Sequence, residues 1–202
     1  MGIRAVLFDI GHVLVDLTGA DVIRSFSKGR LDVADIQRSW PDIDAVRAFE
    51  SGKCDQQEFA RGVIRHYGLD VSAERLVEGI AAAVAGKYAG VDAFLSALKG
   101  AYPISCLTNT NPIQWPIIAG LLDAESLFDH AIVSYEVGLM KPDARIYRHA
   151  IESVGFRPAE ILFVDDNAEN IRSGLACGLN CRRAEGFAEA KHVIEEALHG
   201  SA

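Results

Sequence analysis

Several polar side chains of this 202-residue chain follow short apolar segments, where they could carry out chemistry. Asp9 follows the first segment, Thr108 and Asn109 follow a second, and Asp165 and Asp166 follow another. Carboxylates from two strand ends can hold a hard divalent cation such as Mg²⁺ through oxygen ligands. The spacing therefore predicts a cation site, provided that the segments are neighbouring strands of one sheet.

A lysine and a hydroxyl could complete a site for a phosphoryl group. Lys141 precedes Pro142, which disfavours a helix there and suits a loop that reaches the strand ends. Together with backbone amides, Thr108 and Lys141 could hold phosphoryl oxygens. A surface position for Lys141 and a helix-capping role for Thr108 are the simpler alternatives.

The elements that would position these residues read as an α/β pattern. Apolar runs predict strands at residues 3–8, 103–107, 130–134 and 161–164, with a weaker one at 179–182. Helical patterns cover residues 143–154, 168–177 and 188–198. Strands that alternate with helices favour a doubly wound parallel sheet. Ligands of such sheets bind beyond the carboxyl ends of the strands, which is where the polar residues fall.

Residues 17–88 differ from the rest of the chain. Amphipathic patterns predict helices at 19–27, 43–50, 55–67 and 73–85, with no convincing strand, and Asp55 with Glu58 looks like a capped helix start. We therefore predict that residues 1–16 and 89–202 form an α/β core and that residues 17–88 are a small helical cap inserted into it.

Composition limits the classes of partner. The 20 basic and 28 acidic residues give a net charge of −8 without a basic cluster, which argues against nucleic-acid binding. The apolar runs are far shorter than the ~20 residues that span a bilayer, so we expect no membrane partner. Four scattered cysteines without an export signal indicate free thiols and a cytoplasmic location. The sequence does not indicate an oligomeric state.

The segments FDIGHVL, CLTNTN, GLMKPD and ILFVDDNAEN, taken in this order, resemble the haloacid dehalogenase-like hydrolase superfamily, whose core is Rossmann-like. The DIGHVLVD start and the VDDNAEN segment look most like its α-glucose-1-phosphate phosphatase-like subgroup. The resemblance implies a Mg²⁺-dependent phosphatase that acts on a small phosphorylated metabolite.

The resemblance also implies roles for individual residues. The Asp9 carboxylate would attack phosphorus in line and form an aspartyl-phosphate, which water then hydrolyses. Thr108, Asn109 and Lys141 would bind the phosphoryl group. Asp9, Asp166 and the backbone carbonyl of Gly11 would ligate Mg²⁺, while Asp165 or Asn170 would act through the second shell or a bound water.

One position departs from the family pattern. Most phosphatases of this superfamily carry a second Asp two residues after the nucleophile, as general acid and base, and Gly11 stands there instead. A positioned acid/base accelerates a reaction by ~10²–10⁴-fold, or roughly 2.7–5.4 kcal/mol of barrier. The substrate could then be one whose leaving group needs little protonation, such as a sugar 1-phosphate or an acyl phosphate. Alternatively, His12 or a cap residue supplies the proton.

Two other functions fit the same motifs. In a 2-haloacid dehalogenase the nucleophile attacks carbon without a metal, and those enzymes also lack the second Asp. The pair Asp165–Asp166 argues against this reaction, which has little use for adjacent acids beside a departing halide. A non-catalytic binding protein with the same fold is the second alternative.

Overall fold

The computed structural model describes residues 2–199, and its strands lie where most of the apolar segments predict them. They are β1 (Ala5–Phe8), β2 (Val15–Leu17), β3 (Val84–Lys87), β4 (Ile104–Thr108), β5 (His130–Val133), β6 (Ile161–Asp165) and β7 (Asn180–Arg183). Strands β1 and β4–β7 form one parallel sheet of order β5-β4-β1-β6-β7. Residue 1 and residues 200–202, which the sequence assigns to the core, lie outside the described residues.

The register of the central strands brings their carboxyl ends together. Phe8, the last residue of β1, is level with Cys106 of β4 and Val164 of β6. Every residue of these three strands is buried, as expected of parallel strands that are covered on both faces. Asp9, Thr108 and Asp165 therefore emerge at one edge of the sheet.

Helices flank the sheet and form a separate layer beyond it. They are α1 (Gly19–Phe26), α2 (Val33–Ser39), α3 (Asp44–Glu50), α4 (Gln56–Tyr67), α5 (Ala73–Ala82), α6 (Val91–Lys99), α7 (Trp115–Leu122), α8 (Ala124–Leu127), α9 (Ser134–Val137), α10 (Ala144–Val154), α11 (Ala168–Ala176) and α12 (Phe187–His199). α6, α7 and α12 pack on the sheet face that carries Val6 and Phe8, whereas α10 and α11 pack on the face that carries Leu7. This arrangement confirms the predicted doubly wound α/β fold.

Helices α1–α5, which we call the helical layer, lie between β2 and β3 in the chain. Their apolar faces form a hydrophobic cluster of their own, in which the rings of Phe49 and Phe59 stack with centroids 4.5 Å apart. α4 begins with the expected capping box of Asp55 and Glu58. The helices predicted in this region are confirmed, while its exact limits as a cap stay a prediction.

The expectation that residues 17–88 contain no strand is wrong. β3 pairs antiparallel with β2, so that Val15 faces Lys87, and this ribbon joins the helical layer to the sheet. The helix predicted for 73–85 accordingly ends at Ala82. β3 is only four residues long and contains Gly86, and its partner lies far away in sequence, so periodicity gives no signal for it. α2, which the sequence analysis did not identify, buries only Ile36.

Two expectations from composition can be compared with the structure. Cys54, Cys106, Cys177 and Cys181 are all free thiols, as predicted. Within residues 2–199, the structure contains no helix that is long and apolar enough to cross a membrane.

Candidate active site

Lys141 lies at the centre of the carboxyl edge of the sheet, in the loop between α9 and α10. Its ammonium Nζ is 2.9 Å from Oδ1 of Asp9 and 2.6 Å from Oδ2 of Asp165, and all three side chains are buried. Burial disfavours the charged ammonium, but Asp165 and Asp9 outweigh this effect and raise the pKa of Lys141. Lys141 is thus a fixed positive charge between two carboxylates.

Asp9 is held directly at the end of β1. Its backbone N–H donates to the Val164 carbonyl of β6 at 2.8 Å, and its Oδ1 accepts a 2.7 Å hydrogen bond from the Ile10 N–H. Burial and, to a smaller extent, the charges of Asp165 and Asp166 raise the pKa of Asp9 to about 8, against the opposing effect of Lys141. A single ammonium therefore does not offset the negative charge gathered here, and a further cation would lower the pKa of Asp9.

Asp165 is committed to hydrogen bonds with the protein. Asn170 Nδ2 lies 3.0 and 3.1 Å from its two oxygens, and the Asn167 N–H donates to Oδ1 at 2.8 Å. The carbonyl of Asn170 in turn accepts a hydrogen bond from the Tyr147 hydroxyl. These contacts hold the carboxylate of Asp165 against the Lys141 ammonium, and its role through the second shell or a bound water stays a prediction.

Asp166 completes a cluster of three carboxylates. Asp9, Asp165 and Asp166 each offer an oxygen atom, and these oxygens lie within 4.8 Å of one another. Burial and then Asp165 raise the pKa of Asp166, while the half-buried His12 lowers it. Grouped carboxylate oxygens are the ligands that a hard divalent cation prefers, so the residues present fit such an ion.

Asn109 fixes the backbone that carries the lysine. Its Nδ2 donates to the Lys141 carbonyl at 2.8 Å, and its Oδ1 accepts from the Lys141 N–H at 2.9 Å. These two bonds connect the loop after β4 to the loop before α10. The structure also buries Thr108 at the end of β4, beside the same site. The phosphate-binding roles of Thr108 and Asn109 stay predictions.

Residues 3–178 match the sequence profile of the haloacid dehalogenase-like hydrolases. The chain belongs to the haloacid dehalogenase-like hydrolase family. This confirms the superfamily predicted from the four motifs and makes the protein a hydrolase, whereas the α-glucose-1-phosphate phosphatase-like subgroup stays a prediction.

Relatives of this hydrolase match it over nearly its full length. A D-ribitol-5-phosphate phosphatase from Bacteroides thetaiotaomicron is 27% identical, with 98% of this chain and 99% of the relative aligned. A predicted haloacid dehalogenase-like family hydrolase from Porphyromonas gingivalis has a TM-score of 0.80 at 25% identity, over 98% of both chains. A Bacteroides thetaiotaomicron enzyme of this family, solved with magnesium and inorganic phosphate, has a TM-score of 0.73 at 25% identity, covering 91% of this chain and 95% of its own.

The space next to Gly11 of this hydrolase is occupied by a leucine. A Cβ placed on Gly11 would lie 2.8 Å from Cδ1 of Leu17, so Leu17 would have to move before a side chain could stand at position 11. His12 adopts a left-handed backbone conformation, with φ of 56°, and its N–H donates to the Val15 carbonyl. Its side chain interacts electrostatically with Asp166, one of the three grouped carboxylates.

Glu50, at the end of α3 in the helical layer, is a half-buried acid that the sequence does not single out. Its half-buried carboxyl interacts electrostatically with Lys141, although the two residues are far apart in the chain. Burial raises the pKa of Glu50 to about 7, while a hydrogen bond with Trp40 and the charge of Lys141 lower it. Nothing in the local sequence distinguishes Glu50 from a solvated helix-end acid, because its environment comes from the packing of the helical layer on the core.

Proposed function

We propose that this hydrolase is a Mg²⁺-dependent phosphatase that cleaves a phosphoric monoester of a small metabolite, with Asp9 as nucleophile. The observation that carries this proposal is the buried Lys141 ammonium between Asp9 and Asp165, next to Asp166. The phosphatase activity of the Bacteroides thetaiotaomicron relative supports it.

The reaction would proceed by two displacements at phosphorus. An oxygen of Asp9 attacks the phosphorus atom as the bond to the ester oxygen breaks, and the alcohol leaves. Water then attacks the resulting aspartyl-phosphate, which releases inorganic phosphate and restores Asp9. Since Oδ1 of Asp9 accepts from Ile10 and contacts Lys141, we assign the attack to Oδ2.

The surrounding residues would hold the transferring group. Lys141 would neutralise charge on the phosphoryl oxygens, and Thr108 and Asn109 would bind the same oxygens beyond β4. Asp9, Asp166 and the Gly11 carbonyl would hold Mg²⁺, which supplies further charge neutralisation when bound. Asp165 and Asn170 keep Lys141 in place.

We propose that residues 17–88, which include the helical layer, form a cap. The substrate would be a small molecule enclosed between this cap and the core. A cap that closes over the strand ends excludes bulk water and favours a compact metabolite over a phosphoprotein. Sugar phosphates, sugar 1-phosphates among them, and polyol phosphates are the classes that we propose to test first, since a full-length relative acts on D-ribitol 5-phosphate.

The decisive experiment measures phosphate release from a panel of phosphorylated metabolites with Mg²⁺, beside an Asp9→Asn variant and a chelator control. We expect selective hydrolysis that the chelator abolishes. Loss of the nucleophile should lower turnover by at least about 10⁴-fold while circular dichroism shows an intact fold. Turnover retained by Asp9→Asn would refute the nucleophile assignment, and an inert wild-type protein would favour a non-catalytic role.

Dehalogenation of a 2-haloacid is the second candidate, because Gly11 fits that reaction as well. The carboxylate cluster of Asp9, Asp165 and Asp166 disfavours it, since this reaction needs no cation. Halide release from 2-chloropropionate that persists in the presence of a chelator would reverse this order.

A further inference from the structure

The segment between β7 and α12, residues 183–186, lies beside the carboxylate cluster, and the proposed reaction leaves it without a role. We call this segment the β7 turn. β7 is an edge strand of the parallel sheet, and its last residue, Arg183, is level with Asp165 of β6. This register places the β7 turn next to the loop that carries Asp166.

Arg183 continues the hydrogen bonding of β6 past the end of that strand. The carbonyl of Asp165, the last residue of β6, accepts from the Ala184 N–H at 3.1 Å, as in a regular parallel ladder. The next carbonyl, that of Asp166, accepts from Nε of Arg183 at 2.7 Å. A hydrogen bond from a charged donor is stronger than one between neutral groups. The backbone of Asp166 is therefore anchored to β7, although it lies beyond the strand.

The other end of the β7 turn holds the loop after β1. The Gly186 N–H donates to the His12 carbonyl at 2.6 Å. His12 directly follows Gly11, whose carbonyl is one of the proposed Mg²⁺ ligands. After the turn, Phe187 is buried, and its ring centroid lies 5.6 Å from that of Phe94. The turn is thus fixed to the core and to both loops.

This connection bears on the proposed cation site, because its ligands come from the same two loops. Asp9 and the Gly11 carbonyl belong to the loop after β1, whereas Asp166 belongs to the loop after β6. Mg²⁺ demands a nearly ideal octahedral arrangement of oxygen atoms, so the relative position of the two loops affects its affinity. Groups that orient metal ligands from outside commonly contribute 10–100-fold to metal affinity.

We propose that Arg183 is a positioning residue for the Mg²⁺ site and acts by fixing the backbone of Asp166 through its Nε–H. The proposal rests on the proposed function, which supplies the cation. Arg183 is exposed, and its Nη2 lies 3.9 Å from the Glu185 carboxylate. An exposed ion pair of this length stabilises a fold by little, which leaves the bond to Asp166 as the contact of consequence.

The charge of Arg183 would act on the ion in the opposite direction. A guanidinium near a cation site repels the cation, so removal of the charge alone should tighten Mg²⁺ binding. Removal of the Nε donor should weaken Mg²⁺ binding, because Asp166 loses its anchor. The sign of the change in affinity therefore separates positioning from electrostatics.

The test replaces Arg183 with glutamine and with methionine, which both lack the charge. Glutamine can place an amide nitrogen as many bonds from the backbone as Nε of arginine, whereas methionine places a methyl group there. Each protein is titrated with Mg²⁺ alone, without substrate, and the dissociation constant is obtained from the rise in Tm with Mg²⁺ concentration. Asp166→Asn, which removes a proposed ligand, should suppress this rise.

We expect the dissociation constant for Mg²⁺ to increase by about 10-fold or more in Arg183→Met and to stay close to the wild-type value in Arg183→Gln. Without Mg²⁺, the Tm of both variants should change little, because residue 183 is exposed. Arg182→Met is the matched control. It removes a neighbouring exposed arginine that bonds to Asn180 and to the Cys181 carbonyl, and its Mg²⁺ titration should match that of the wild type.

Phosphate release gives a second readout. Arg183→Met should need more Mg²⁺ than the wild type for half-maximal activity, by about the same factor as in the Tm titration, while kcat recovers at saturating Mg²⁺. A variant that had lost part of its fold would instead keep a lower kcat at every Mg²⁺ concentration. That result would contradict a positioning role.

The outcomes distinguish a failure of Arg183 from a failure of the proposed function. If Arg183→Met and Arg183→Gln bind Mg²⁺ equally well, the Nε donor has no effect and the role of Arg183 is refuted, and tighter binding by both would assign the effect to charge. Either result leaves the proposed function intact, provided that Asp166→Asn suppresses the rise in Tm. If Asp166→Asn keeps the full rise, or the wild type shows none, the proposed Mg²⁺ site itself fails together with the role of Arg183.

Discussion

The position of the Lys141 ammonium is set from both ends of the residue. Asn109 holds its backbone through two hydrogen bonds, and Asp165 holds its head group at 2.6 Å. Asp165 is in turn oriented by Asn170 and by the N–H of Asn167. These contacts keep Lys141 beside Asp9. Its charge is therefore available to the transferring group without any rearrangement of the site.

Removing this charge should cost stability as well as activity. In Lys141→Met, the buried carboxylates of Asp9 and Asp165 lose their cation, and we expect the free energy of unfolding to fall by about 3–5 kcal/mol. Urea denaturation at pH 7 measures this change. Lys191→Met is the control, because its exposed pair with Glu195 should contribute less than about 1 kcal/mol. Equal stability of the two variants would show that Lys141 is not a structural cation.

Among the individual residues, the sequence predicts those that adjoin a strand end. It misses those whose contacts depend on how distant elements pack. Asp9, Thr108 and Asp165 come together because the register of three buried strands places them there. The partner of Asn109 is the backbone of Lys141, and no pattern of side chains reveals such a contact. The half-burial of Glu50 likewise comes from the packing of the helical layer, which no local pattern reveals.

Among the elements, the turn after α3 links the helical layer to the core. Gly52 has a φ of 69°, and Gly52→Ala should push the turn away from the carbonyl of Tyr135 in α9, which leads into the loop that carries Lys141. We expect a lower kcat/KM for alkyl phosphates and a loss of stability larger than that of Gly68→Ala. Gly68 also has a positive φ, of 59°, but among the described residues nothing lies within 4 Å of a Cβ placed there.

Kinetics and urea denaturation of both glycine variants check this prediction. Strain from the positive φ alone should cost roughly 1 kcal/mol at either position. If Gly52→Ala and Gly68→Ala lose the same stability and both keep full activity, the turn does not fix the end of α3.

The start of β6 depends on an acid with a lowered pKa. Glu160 accepts hydrogen bonds from Arg157 Nη2 at 2.8 Å and from the Arg157 N–H at 3.1 Å, and the first of these contributes most to lowering the pKa of Glu160 to about 2. A lowered folded-state pKa means that the carboxylate stabilises the fold above its ordinary pKa of 4.5 and that this contribution is lost as pH falls towards 2.

Glu160→Gln should therefore be less stable than the wild type at pH 7, and the difference should narrow as pH falls below about 4.5. Urea unfolding of both proteins over this range measures the difference. Glu195→Gln, at an exposed site on α12, should track the wild type throughout. If the difference in unfolding free energy between Glu160→Gln and the wild type stays constant with pH, the loss of stability comes from packing and not from charge.

For the whole molecule, the sequence predicts the sheet and misses the ribbon that joins its two parts. Strands that are buried on both faces leave short, nearly continuous apolar runs between helical patterns, so the doubly wound fold follows from them. β2 and β3 are short and only partly buried, and what defines them is pairing across the whole length of the helical layer. Local periodicity cannot report a contact of that kind.

The separate hydrophobic cluster of the helical layer predicts that this layer opens as a unit. Phe59 is fully buried there, stacked on Phe49, and Phe59→Ala should cost about 3–5 kcal/mol within the layer. Hydrogen exchange should then quicken in α1–α5 while β1, β4 and β6 keep their protection, because the layer joins the sheet through the β2–β3 ribbon and a few loop contacts. Phe163→Ala, in strand β6, should instead weaken protection in the strands. If Phe59→Ala lowers protection in the strands as much as in the helices, layer and sheet unfold together, and a cap that moves as a body is ruled out.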